Sequence, residues 1–205
     1  VVASISQRPD LSEIGRILDD HGDEIISSCD SIVVEIDMTA DLLNRIFSLA
    51  DHYEKKVYAV VSNMTIALER RDLMKRTGCV VCNDQEAGIL FSEDYHDTEP
   101  EELARIIHER AAKAGYVNVV VTMGEKGAVY TDGDTYGVIP PLRTHVVDTT
   151  GAGDAFFSGV AAGLTYGKTL EESCRIGTRL ASAVIASRES VCPRFQPEEF
   201  GFEAK

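Results

Sequence analysis

Val147-Asp148-Thr149-Thr150-Gly151-Ala152-Gly153-Asp154-Ala155-Phe156 reads as the join between a short strand and an apolar helix. The spacing predicts a helix from about Gly151 to Tyr166, which puts Gly151, Ala152 and Gly153 at its start. Backbone N–H groups there are unblocked, and the helix macrodipole favours an anion beside them. Small side chains let that anion reach the backbone. Asp154 falls in the first turn, where a carboxylate is stabilised in its ionised form and can accept a hydroxyl proton. Alone, Gly-Ala-Gly is equally open to a second reading, a tight turn with Asp154 complementing the dipole. A dinucleotide fingerprint fits worse, because the third glycine of G-x-G-x-x-G falls on Phe156, and no Gly-Lys-Ser/Thr follows to make a P-loop.

Outward from this stretch, apolar β-branched runs alternate with segments of helical period, the pattern of βαβ units around a parallel sheet. Strands are expected at Ser31–Ile36, Val57–Ser62, Cys79–Cys82 and Val117–Thr122. Thr39–Tyr53 reads as an amphipathic helix. Thr98-Glu99-Pro100-Glu101 reads as the start of another, which Gly115 closes. Gly127–Thr131 and Tyr136–Ile139 flank a hairpin turn at Asp132-Gly133-Asp134. The capping box Thr169-Leu170-Glu171-Glu172 opens a last helix that runs to about Ala186.

Composition bounds the rest. With 34 acidic and 20 basic side chains in 205 residues, the net charge of −14 argues against a protein that coats nucleic acid. No run approaches the roughly 18 apolar residues of a membrane span, and Val1-Val2-Ala3-Ser4 carries no basic signal-peptide region. A cytoplasmic protein with no membrane partner is expected, residues 1–205 forming one domain. A chain this long needs no staple to fold. The five cysteines are therefore read as free thiols, and Cys79-Val80-Val81-Cys82 as the interior of a strand rather than a metal or redox pair.

Asp148 through Phe156 resembles the C-terminal signature of the ribokinase-like (PfkB) family of carbohydrate and nucleoside kinases. Thr122-Met123-Gly124-Glu125-Lys126-Gly127 resembles the family's ATP-contacting turn, and Asn83-Asp84-Gln85-Glu86 resembles its N-x-x-E motif. The resemblance implies a doubly wound, mostly parallel α/β sheet with helices on both faces. It implies Asp154 as the proton acceptor and Gly151, Ala152 and Gly153 as the anion hole. It also implies ATP contacts at Thr122, Gly124, Glu125, Gly127 and Thr178, and Mg²⁺ organised through water by Asn83 and Glu86. For the last pair, a helix cap with an exposed Glu is the competing reading. Asp148 and Thr150 fall where many members hold a monovalent cation such as K⁺. Ser187-Arg188-Glu189-Ser190 replaces the family's Gly-containing turn there.

The resemblance covers only the family's later portion. Members begin with a strand whose Asp grips the sugar, a Gly-Gly segment and a β-lid, none of which is visible here. The implied reaction is transfer of the γ-phosphate of ATP to a hydroxyl of a sugar, with the isolated chain inactive or nearly so. Ser27–Val34, Val60-Val61-Ser62 and the lead from Ile5 to Ile26 look somewhat like pseudouridine-kinase relatives, which keeps a nucleoside open as acceptor. A non-catalytic nucleotide-binding module is the alternative of another class. Many relatives pair through their lids, so a homodimer of a full-length form is also open.

Overall fold

Continuous β-branched runs suit strands covered on both faces, and here they build the parallel part of a six-stranded sheet. The computed structural model describes residues 10–61, 64–192 and 194–202. Val1–Ser4, Ile5 and Ser62, named above, lie outside the described residues. Strands β1 (Ser31–Glu35), β2 (Lys56–Val60), β3 (Val80–Asn83) and β4 (Val119–Thr122) lie parallel, side by side in chain order. The antiparallel strands β5 (Ala128–Thr131) and β6 (Tyr136–Ile139) complete the sheet. Between them Asp132 Oδ1 accepts the amides of Asp134 and Thr135 at 3.0 and 2.6 Å, which fixes the expected turn.

Eight helices are assigned among the described residues: α1 (Ser12–Ser28), α2 (Ala40–His52), α3 (Met64–Glu69), α4 (Arg71–Met74), α5 (Asp84–Phe91), α6 (Pro100–Ala114), α7 (Ala152–Thr165) and α8 (Leu170–Ile185). Alternation along the strands sends side chains to two cores. Val34, Val57, Ala59, Val80, Cys82 and Val119 meet α2 to α6 on one face. Tyr58, Cys79, Val81 and Val120 meet α7 and α8 on the other. Helices therefore cover both faces. Cys79 and Cys82 belong to opposite cores, and burial pushes both thiols up. All five cysteines are free.

Helices α7 and α8 approach closely at their small residues. A β-carbon at Gly159 would stand 2.6 Å from Gly177 Cα, and one at Gly163 would stand 2.8 Å from Ser173 Cα. Phe200 and Phe202 then fold back onto Ile176 and Leu180 of α8.

Some expected boundaries move. Thr98 does not cap α6: its amide donates to the Tyr95 carbonyl at 3.1 Å, and Glu99 is the N-cap without a side-chain bond. Pro100 supplies the first helical residue instead, since its missing N–H would have had no partner there. Strand β3 starts at Val80 rather than Cys79, and β4 at Val119 rather than Val117, which is 65% exposed. The capping box at Thr169 forms as expected, with Glu172 Oε2 2.9 Å from the Thr169 amide. No helix among the described residues is long and apolar enough to cross a membrane.

Candidate active site

The start of α7 is built around one obligatory glycine. Gly151 is the N-cap in the left-handed region (φ 80°), and a β-carbon there would overlap the carbonyl oxygen of Ser190. No side chain caps this helix. The Ala152 amide donates to the Thr149 carbonyl at 3.2 Å and the Ala155 amide to that of Gly151 at 2.9 Å. Between them, the amides of Gly153 and Asp154 make no backbone hydrogen bond to a described residue. A β-carbon at Gly153 would meet nothing within 4 Å. The three-residue hole expected from the sequence is thus divided: Gly151 makes the turn, Ala152 is engaged, and Gly153 with Asp154 presents open donors.

Asp154 is exposed and lines a groove of about 390 Å³ with Ser31, Val33, Val60, Phe157 and Thr165. Thr165 Oγ1 and Ser31 Oγ lie 2.7 Å apart, so the C-terminal end of α7 is tied to the first residue of β1. Helix α7 therefore runs against the strand direction and brings Asp154 to the carboxyl end of the sheet. Beyond Asp154, the groove lining was barely marked in the sequence. Its only signal is the alternation Ser31, Val33, Glu35, which puts these residues on one face of β1.

The stretch before Gly151 is a loop rather than the short strand expected there, and α8 holds it. The amides of Val147 and Asp148 both donate to the Ile185 carbonyl, at 2.7 and 3.3 Å. Asp148 Oδ1 accepts the Thr150 amide at 2.8 Å, and that bond holds the carboxyl below its ordinary value. Thr178 Oγ1 donates to the Cys174 carbonyl at 3.0 Å, so its hydroxyl is used within its own helix.

The second half of the site lies on β3 and β4. Asn83 and Thr122 are register partners at the carboxyl ends of these strands. Thr122 Oγ1 donates to the Cys82 carbonyl at 3.4 Å. Gly124 (φ 57°) and Gly127 (φ 94°) bracket a single turn of 3₁₀ helix that holds the exposed Glu125. A β-carbon would meet nothing at Gly124 but would overlap the Ile139 carbonyl oxygen at Gly127. Asn83 caps α5 in a full capping box: Asn83 Oδ1 accepts the Glu86 amide and Glu86 Oε2 accepts the Asn83 amide, each at 2.8 Å. One carboxylate and one amide, both already engaged, do not make a protein cage for a metal, and no cluster of three His, Cys, Asp or Glu side chains occurs among the described residues. The pair does fit a hydrated Mg²⁺ that phosphate oxygens hold and the protein touches through water. Strands stand about 4.8 Å apart, so Val60, Asn83 and Thr122 span about 10 Å of sheet edge, the edge where open α/β sheets take ligands.

Fold and site together define an α/β protein that gathers these residues at the carboxyl ends of its strands. The sequence matches the pfkB family of carbohydrate kinases over residues 11–193, and the chain belongs to that family. It is 32% identical over 189 residues to a guanosine-inosine kinase of Exiguobacterium acetylicum, covering 91% of this chain and 61% of that protein. A cytidine kinase of Thermococcus kodakarensis is 38% identical over 125 residues, 58% of this chain and 42% of its own. Among solved structures, a carbohydrate kinase from Agrobacterium tumefaciens aligns at a TM-score of 0.70 and 26% identity, over 90% of this chain and 57% of that one. The ribokinase of Arabidopsis thaliana, solved with ribose and ATP, shares the fold at a TM-score of 0.71 and 22% identity, over 84% of this chain and 55% of its own. The chain thus spans about three-fifths or less of the length of these relatives.

Proposed function

We propose that this chain carries the nucleotide side and the proton acceptor of an ATP-dependent kinase that moves the γ-phosphate to a hydroxyl of a sugar. The observation that carries this reading is the uncapped start of α7, with two open amides and Asp154 in its first turn, in a chain of the pfkB family. Asp154 takes the proton of the acceptor hydroxyl as the oxygen attacks. The amides of Gly153 and Asp154 stabilise charge on the transferring group. Gly124 and Gly127 shape the turn against which ATP lies, with Thr122 and Glu125 beside it and Thr178 on the adenine side. Asn83 and Glu86 would hold Mg²⁺ through its water, and the ion would supply neutralisation of the phosphate charge. K⁺ beside Asp148 and Thr150, a cytoplasmic setting and pairing of two full-length copies belong to the same proposal.

The guanosine-inosine kinase relative, similar over 91% of the chain, favours a nucleoside as the second reading of the acceptor. The test is ADP release with MgATP against a panel of sugars and nucleosides, measured on the longest natural form of the chain. One acceptor is expected to stimulate release, and Asp154→Asn to reduce it by about 10² to 10⁴. ATP binding with no stimulating acceptor would replace the kinase by a nucleotide-binding module. The 205-residue chain alone is expected to release little ADP, because this reading gives none of its described residues the task of orienting the acceptor.

A further inference from the structure

Helix α8 ends where nothing in its backbone requires an end. Its C-cap, Ala186, still has right-handed helical angles (φ −82°, ψ −2°), and no residue from 186 to 190 is a glycine or takes a positive φ. Helix α6, by contrast, stops on the left-handed Gly115. In a helix that ran one turn further, the Glu189 amide would donate to the Ile185 carbonyl, four residues back. Here it donates instead to Ser187 Oγ at 3.1 Å, and that hydroxyl lies 3.1 Å from the Val184 carbonyl and 3.2 Å from that of Glu189. The hydroxyl thus takes the amide that would have carried the helix on. Hydroxyls inside α8 act differently: Ser173 and Thr178 donate to carbonyls four residues back and accept no amide among the described residues.

The diverted amide leaves the Ile185 carbonyl open, and the site uses it. The amides of Val147 and Asp148 converge on that oxygen at 2.7 and 3.3 Å, in the stretch that leads into Gly151. One residue past Glu189, the Ser190 carbonyl oxygen stands 2.0 Å from where a β-carbon of Gly151 would be. Both supports of the α7 start therefore come from the turn that Ser187 shapes. We infer that Ser187 is a positioning residue: by capturing the Glu189 amide it ends α8, keeps the Ile185 carbonyl for Val147 and Asp148, and so holds the approach to Gly153 and Asp154 in place. Its kinetic consequence rests on the kinase reading above, and its hold on the loop does not.

The test is Ser187→Ala, with Ser187→Thr as the conservative variant, in the longest natural form of the chain. Alanine cannot take the amide, and it favours helix more than serine does. The alanine variant should therefore extend α8. Exchange of the Glu189 amide should slow about tenfold or more, while that of the Val147 and Asp148 amides quickens by a similar factor. The unfolding temperature should stay level or rise. With the acceptor that stimulates ADP release, kcat should fall about tenfold to a hundredfold while KM for ATP changes less than about threefold, because the displaced groups act on the transferring phosphoryl. Threonine keeps the hydroxyl and should restore both exchange and kcat. Unchanged exchange at the three amides in Ser187→Ala would overturn the assignment. So would a fall in kcat that threonine does not reverse, or one that follows a lowered unfolding temperature. If the unsubstituted protein releases no ADP with any acceptor, the kinase reading falls, and exchange alone decides the role of Ser187.

Discussion

Helices α5 and α7 start at the same carboxyl-end edge of the sheet, and they start differently. Asn83 and Glu86 close the first turn of α5 with their own side chains, both reciprocal bonds at 2.8 Å. Gly151 leaves α7 without a side-chain cap, and among the described residues the amides of Gly153 and Asp154 find no backbone partner. A helix start normally finds partners for its orphan N–H groups. The fold meets that need at α5 and leaves it unmet at α7, where Gly153 also keeps the approach clear. The sealed start serves stability first, and the open one is where the proposed function puts the transferring phosphoryl group.

The largest break in this comparison comes from Gly151→Ala. It places a β-carbon on the Ser190 carbonyl oxygen at a φ of 80°, and should cost about 3 to 5 kcal/mol in denaturant unfolding. Closing less of the difference, Asn83→Ala removes the α5 cap and should cost about 1 kcal/mol by the same measurement. Gly153→Ala sharpens the contrast, because helix propensity predicts a gain of up to about 1 kcal/mol there while isothermal titration should show weaker ATP binding. The smallest effect is one of pH. Hydrogen bonds from the Thr169 amide and hydroxyl hold the Glu172 carboxyl below its ordinary 4.5. The depressed carboxyl adds stability that is present above 4.5 and fades as pH falls through its folded value. The destabilisation caused by Glu172→Gln should therefore shrink below pH 4.5, as followed by thermal melts.

Much of this was legible in the sequence, for reasons that are local. The β-branched runs at Ser31, Val57 and Val119, the apolar stripe of α2 and the Thr169 box each declare themselves within a few residues. Helix α1 did not, because its N-cap is Leu11, which makes no cap bond, and its acidic residues dilute the apolar stripe. Helices α3 and α4 span six and four residues, too short for a period to show. At the site, the glycines were visible as a motif but not their division of labour. Only contacts distant in sequence separate Gly151, pressed on Ser190, from Gly153 beside open space, or Gly127, pressed on Ile139, from Gly124. The engagement of Ala152 by Thr149 was equally hidden, since a motif does not say which of its amides the turn uses.

The glycine crossing of α7 and α8 has a mechanical consequence. Where backbones meet at Gly159 and Gly177, no rotamer can yield to absorb a displacement. The two helices then behave as one stiff lever. One end holds Asp154, and the Arg179 guanidinium grips the Glu199 carbonyl from the same lever. A load on the C-terminal segment, carried by Arg179, therefore meets backbone against backbone at this crossing on its way to the helix that bears Asp154.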